Sequence, residues 1–317
     1  MALPENEFAN NFHLTEEQVA QFRTIGFLKL PGFFNNSVLA SLRRRIEAEL
    51  DNAPANFQAE FRRLKYDFET SREELYALLA QPYFRRAMTA LTERTMFLTF
   101  EMCFELEKNV SKGFPWHVGV QSFGYQRAHD YACTIWAPLD PIDPAGQQGG
   151  MQYVPRTVLS AEFVYEYVEP ALVESLRIRA ARGEPIELAD YFALREGVLN
   201  SPAMQDILRA QAVEDAFEPG DALIFDKYVV HRSRPLGEGP LSRRDAFVMR
   251  FVDSTSRYDR QRALDIDFPA QQFGYKPFTR SHLDVGSVDG ELLAESPYFD
   301  NHAARTITHV DAGTERT

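Results

Sequence analysis

The chain has 317 residues, of which 44% are hydrophobic, and a formal net charge of −12. That length holds one large domain or two small ones with a full core. The acidic balance argues against nucleic acid or an anionic membrane as partner, and more weakly against an acidic carrier protein. No apolar run reaches the ~18–20 residues that a membrane span needs. The opening stretch has neither the basic nor the apolar segment of a signal peptide. Two cysteines, Cys103 and Cys133, are too few for a disulfide framework or a cysteine-based zinc site. A reduced, cytoplasmic setting is the expectation.

In chain order, Thr15 is placed to cap a first helix that runs to about Phe22. A short strand within 26–34 ends in a Pro31-Gly32 turn. A second helix over 36–50 carries Val38, Leu39, Leu42 and Ile46 at helical spacing. More helical pattern covers 71–92. Then the character changes to short strands, at 96–106, 132–139, 151–154, 222–230 and 245–252, with Gly and Pro between them. Such a set predicts a sandwich or barrel. Between 158 and 216 the pattern turns helical, too long for a simple connection. It reads as an insertion over one mouth of the barrel, either a buttress or a lid, with Phe163, Tyr165, Tyr167, Tyr191 and Phe192 able to wall off a small-molecule pocket. The tail, 254–317, shows little period. The whole is expected to be a single domain, 1–317.

Two of the seven histidines have informative surroundings. His117 follows Trp116 and precedes Val118-Gly119. His231 ends an apolar strand that follows a Pro219-Gly220-Asp221 turn, and Arg244 comes thirteen residues later. Two neutral imidazoles suit a divalent iron centre. A planar guanidinium suits a carboxylate. Glu101 and Glu105 share one face of the 96–106 strand. That face either lies in solvent or lines a pocket, where it would suit a cationic substrate such as an amine.

This layout resembles the iron(II)/2-oxoglutarate oxygenases of the phytanoyl-CoA dioxygenase-like group, from about Thr15 to Asp253. The resemblance implies a mainly β fold with flanking helices. Its core would be a double-stranded β-helix (jelly-roll, cupin-like) carrying the helical insertion. It implies iron held by His117 and His231, and 2-oxoglutarate held at its far carboxylate by Arg244, with Arg243 turned away by strand alternation. Thr134 and Trp136 would line the cosubstrate pocket. Arg250 aligns with a second family arginine and is a candidate for substrate binding. The segment Gly149 to Thr157 resembles a family motif, but Arg156-Thr157-Val158 stands where that motif has Gly-Ser-His.

The family's proximal motif is His-X-Asp or His-X-Glu, and here it is His117-Val118-Gly119. This resembles the non-haem iron halogenases, in which a small residue leaves room for chloride on iron. The implied reaction is hydrogen-atom abstraction from an unactivated C–H of a small-molecule metabolite, with halide returned to the carbon radical. Dioxygen is the co-reactant. Two alternatives stay open. One is a hydroxylase or other oxidase with a two-histidine site, its third position filled by water or by a remote carboxylate such as Asp130 or Asp226. The other is a non-catalytic metal-binding protein.

Overall fold

A computed structural model describes residues 7–53, 60–70, 72–185, 194, 197–273 and 282–309, with backbone alone at 55–57, 270 and 273. Its centre is an eight-stranded antiparallel sheet. The strands are β1 (Phe27–Leu30), β2 (Ala55–Phe57), β3 (Phe61–Tyr66), β4 (Met96–Glu107), β5 (Ala132–Pro138), β7 (Ala222–Asp226), β9 (Arg243–Asp253) and β10 (Thr306–Ile307). They lie in the order β1-β7-β5-β9-β4-β3-β2, with β10 also on β4. A second sheet pairs β6 (Met151–Tyr153) with β8 (His231–Ser233). It is extended by bridges from His117 to His231 and from Val213 to Tyr153. The architecture is the jelly roll that the sequence implied.

Alternation along the long strands sorts side chains into two layers. On β9, Phe247, Met249 and Phe251 join the core beneath the helices, whereas Ala246 and Val248 join the core between the sheets. The helix-side layer is covered by α1 (Glu16–Ile25), α2 (Asn36–Asp51), α3 (Glu73–Leu79) and α4 (Pro82–Thr92). Thr15 and Gln18 form a capping box on α1. The apolar positions read for α2, namely Val38, Leu39, Leu42 and Ile46, are all buried.

One local expectation is corrected, and two segments have structure that the sequence pattern leaves open. The apolar run 222–230 is strand only to Asp226, then turns, and resumes at His231. The β2–β3 hairpin was not foreseen. In β3, apolar Phe61 and Leu64 stand three apart among basic residues, which hides a strand pattern. The tail is not shapeless. It forms α7 (Arg260–Phe273), and Tyr258, Leu293 and Phe299 pack on Phe97 and Val252 of the large sheet. The insertion contains a π-helical turn at Val164–Val168, α5 (Glu169–Ala181) and α6 (Pro202–Gln211). Tyr191 and Phe192 lie outside the described residues. Among the described residues, no helix is long and apolar enough to cross a membrane.

Candidate active site

Between its two sheets the jelly roll holds a concave, mostly apolar cavity, the character of a small-molecule site. Its wall draws on β3 (Phe61, Leu64, Tyr66), on β4 (Met102, Phe104) and on β5 (Thr134, Trp136). Met151, Phe225, Ser233, Val248 and Arg250 continue it. The loop 114–122 closes one side with Phe114, His117, Val118, Gly119, Gln121 and Ser122.

The two histidines meet there. The loop before His117 runs antiparallel to β8: Ser233 N–H donates to Phe114 O (3.0 Å), His117 N–H to His231 O (2.9 Å) and His231 N–H to His117 O (3.0 Å). Gly113 permits this approach, since its φ is +71° and a Cβ there would collide with the Ser233 carbonyl. The imidazole centroids are 4.2 Å apart. Phe114 backs one ring at 4.4 Å and Phe225 the other at 4.7 Å. Each Nδ1 lies 2.8 Å from a carbonyl two residues earlier, Pro115 for His117 and Val229 for His231. Donation from Nδ1 leaves the lone pair on Nε2, the arrangement that orients a ligating histidine. Burial pushes the His231 pKa down to about 4, opposed by its bond to Val229 O and assisted by the Arg250 charge. The ring is therefore neutral at physiological pH, as a metal ligand must be.

Gly119 lies on the cavity wall two residues past His117. Its backbone is outside the left-handed region, so conformation does not demand glycine. A Cβ would sit 3.3 Å from the Phe123 ring, a close but yielding contact. Among the described residues, no group of three His, Cys, Asp or Glu side chains is disposed to hold a metal. Neither carboxylate considered from sequence joins the histidines. Asp226 points to the helix side, held by Arg156 at 2.8 Å, and burial pushes its pKa up to about 6 despite that arginine. Asp130 accepts from Arg257 N–H at 2.7 Å.

Arg244 is fully buried and faces inward, with its guanidinium 5.1 Å from the Phe104 ring and 5.5 Å from that of Trp136. Its Nη2 donates to Gly149 O, while its Nε and Nη1 have no hydrogen-bond partner. Burial pushes its pKa down to about 10. The indole Nε1 of Trp136 is also buried without a partner. Buried donors of this kind are costly unless a ligand meets them, and the far carboxylate of 2-oxoglutarate fits them. Arg243 points the other way and lies 3.6 Å from Glu105. Thr134 accepts from Arg250 Nη1 at 3.3 Å.

The structure overturns both sequence readings of Glu101 and Glu105. They are neither in solvent nor at the cavity but buried, at 2% and 0% exposure, on the helix side of β4. Even-numbered Met102 and Phe104 take the cavity side instead. Glu101 binds Arg45 (2.8 Å) and Arg72 (3.0 Å), and Glu105 binds Arg63 (2.7 Å) and Arg62 (3.2 Å). No described residue of the insertion lines the cavity. Tyr165 packs against Tyr228 and Lys227, and Tyr167 is exposed. The walls expected from the insertion come from β3 and the tail, where His282 reaches a side chamber. Arg156, which departs from the family motif, ties Asp226 to the carbonyls of Arg23 and Thr24.

Residues 22–244 match the phytanoyl-CoA dioxygenase (PhyH) family, and the chain belongs to that family. It is a non-haem iron(II)/2-oxoglutarate-dependent oxidoreductase. No curated protein matches it in sequence. Among solved structures it is similar to the α-ketoglutarate-dependent epimerase SnoN from nogalamycin biosynthesis, at 15% identity over 90% of this chain and 96% of that one, TM-score 0.58. The carbocyclase SnoK from the same biosynthesis matches at 16% identity over 78% and 87%, TM-score 0.53. EctD from S. alaskensis, solved with 2-oxoglutarate and 5-hydroxyectoine, matches at 14% identity over 79% and 80%, TM-score 0.52. Identities this low speak to the shared fold.

Proposed function

We propose that this enzyme is an iron(II)- and 2-oxoglutarate-dependent halogenase that acts on an unactivated C–H of a small-molecule metabolite. His117 and His231 would hold iron, and their Nδ1 bonds to backbone carbonyls fix the tautomer and ring orientation. Arg244 would take the far carboxylate of 2-oxoglutarate through its two unpartnered nitrogens, with Trp136 beside it and Thr134 farther along the cavity wall. When bound with dioxygen, the iron supplies the oxidant that removes a hydrogen atom from substrate. The largely apolar walls exclude water and hold the carbon to be functionalised in place.

The observation that carries the halogenase reading is Gly119. It stands on the cavity wall where the family motif has a carboxylate, and no third protein ligand joins the histidines among the described residues. A chloride in that position completes the charge that Asp or Glu would bring. The second reading, a hydroxylase, rests on a different observation. The Phe123 ring lies 3.3 Å from a Cβ at 119, which gives a packing reason for glycine with no halide involved.

The test is an anaerobic titration of iron(II) and 2-oxoglutarate with and without chloride, followed by product mass in chloride and in bromide. Halogenation predicts that chloride tightens cosubstrate binding and that the product carries the halogen isotope pattern. Hydroxylated product alone, unchanged by either halide, refutes it.

A further inference from the structure

We propose that Arg250 anchors an anionic group of the substrate, so that the enzyme acts on a metabolite with an apolar body and a carboxylate-like end. This rests on the oxygenase reading of the same cavity. It reverses the expectation of a cationic substrate, because the carboxylates that suggested one face the helices.

Arg250 is on the inward face of β9, where the main cavity meets a small side chamber bordered by Phe100, His282 and Val285. No Asp or Glu lies within ion-pair distance of it among the described residues. It donates to the Thr134 hydroxyl at 3.3 Å and to the Met102 sulfur, a weak acceptor, at 3.2 Å, and its guanidinium lies 5.7 Å from the Phe123 ring. The arginines on the other face of the sheet differ: Arg45, which is buried, and Arg63 and Arg72, which like Arg250 are partly buried, are each paired with Glu101 or Glu105. Guanidinium does not shed its proton, so a buried one needs a counter-charge. Arg244 cannot share its own. The two arginines are six residues apart on one strand, about 20 Å, beyond the span of one 2-oxoglutarate carboxylate.

The surroundings define the rest of the ligand. Gln121 and Ser122 add polar groups beside Arg250. Phe61, Leu64, Phe104 and Val248 offer an apolar wall for a hydrocarbon body. Among the described residues, no acidic side chain lines the main cavity, and Asp67 borders only the side chamber. A chloride ion shares the anion chemistry, and the probes below separate it from an organic anion; the apolar wall beside Arg250 favours the organic one.

The test uses the full-length protein with iron(II) and saturating 2-oxoglutarate, without oxygen, titrated calorimetrically with matched probes. These are octanoate, octanamide and octylamine, and phenylbutyrate with its amide and amine. The carboxylate should bind on the order of tenfold to a hundredfold tighter than its amide, and the amine more weakly than either. Arg250→Gln should remove that preference and leave amide affinity unchanged, Arg250→Lys should keep part of it, and Arg244→Gln should leave it intact. Absence of a carboxylate preference in both series, or its survival in Arg250→Gln, overturns the proposal. Chloride binding that is lost in Arg250→Gln, with no carboxylate preference in the unmodified protein, assigns the charge to a halide and overturns it as well. Iron and 2-oxoglutarate binding are read in the same samples. Their failure with the preference intact sinks the oxygenase reading of the cavity alone, and the reverse sinks this proposal alone.

Discussion

Replacing Glu101 with Gln should destabilise the protein severely while leaving the cavity unchanged. Glu101 is 2% exposed and Arg45 is 6% exposed, and among the described residues the carboxylate is the only ion-pair partner Arg45 has. Arg45 Nε and Nη1 already lack hydrogen-bond partners, so the guanidinium relies on this one charge and on the Phe68 ring 5.1 Å away. Removing one member of a buried pair costs about 3–5 kcal/mol, because the other is left charged and uncompensated. That is a large part of the ~5–15 kcal/mol that holds a typical fold together. With an unfolding entropy of ~2.1 cal/mol/K per residue, it corresponds to a drop in Tm of roughly 4–8 °C for a chain of this size. Urea denaturation and differential scanning calorimetry read the loss. A companion variant, Arg45→Met with Glu101→Leu, should recover most of it, since it strands no fully buried charge: Arg72, which also loses Glu101, is partly exposed and keeps Asp300 at 3.8 Å. Binding of 2-oxoglutarate and of the carboxylate probes should be unaltered in the folded fraction. A Glu101→Gln protein of undiminished stability, or one that loses ligand affinity instead, would refute the placement of this carboxylate in the helix-side layer.

Four further outcomes are expected. His117→Ala or His231→Ala should abolish iron(II) binding by anaerobic titration, whereas His129→Ala, whose ring is exposed beside Glu166, should not; full binding in either of the first two would remove that residue from the site. Arg244→Gln should weaken 2-oxoglutarate by about 1.5–3 kcal/mol and Arg243→Gln by much less, and the reverse order in an equilibrium binding assay would show the register of β9 to be wrong. Gly119→Asp should abolish any chloride effect on cosubstrate binding, while Gly119→Ala, which meets the same Phe123 contact, should keep it; equal loss in both would mean that packing rather than charge acts there. Burial lowers the Lys227 pKa to about 7, aided by the Arg262 charge. The unfolded chain then binds more protons than the native one between pH 7 and the ordinary lysine value, so stability should climb as pH rises from about 7. Lys227→Met should flatten that slope and raise Tm at pH 7, and an unchanged slope would acquit the lysine.

The sequence discloses most readily what depends on local pattern. Caps, helical spacing and the long strands β4 and β9 follow from neighbours along the chain, and so does the inward turn of Arg244 against Arg243. The approach of His117 to His231 is a pairing across 114 positions, and only the likeness to a known family brought it forward. Glu101 and Glu105 misled for a physical reason. Alternation says that acidic and apolar residues face opposite ways, but not which layer lies on each side. The partners that make burial tolerable, Arg45, Arg63 and Arg72, come from elements distant in the chain. Phe61 and Leu64 were missed because β3 breaks the two-residue period, and His282 because the tail offers no period at all.

The same alternation decides which sulfur atoms meet reactive oxygen. Cys103 and Cys133 belong to the layer under the helices, and burial raises both thiols far above their ordinary pKa. They are kept as protonated thiols, the form least prone to oxidation. Met102, one residue along from Cys103, turns the other way and lines the cavity, as does Met151. In an enzyme that admits dioxygen to a metal, these thioethers are the sulfur atoms that face the oxidant. Sulfoxide formed there would make a flexible apolar wall polar, and Met102 is also a contact of Arg250. Of these four residues, the two methionines are the ones open to oxidation from the cavity, and the two cysteines are shielded from it.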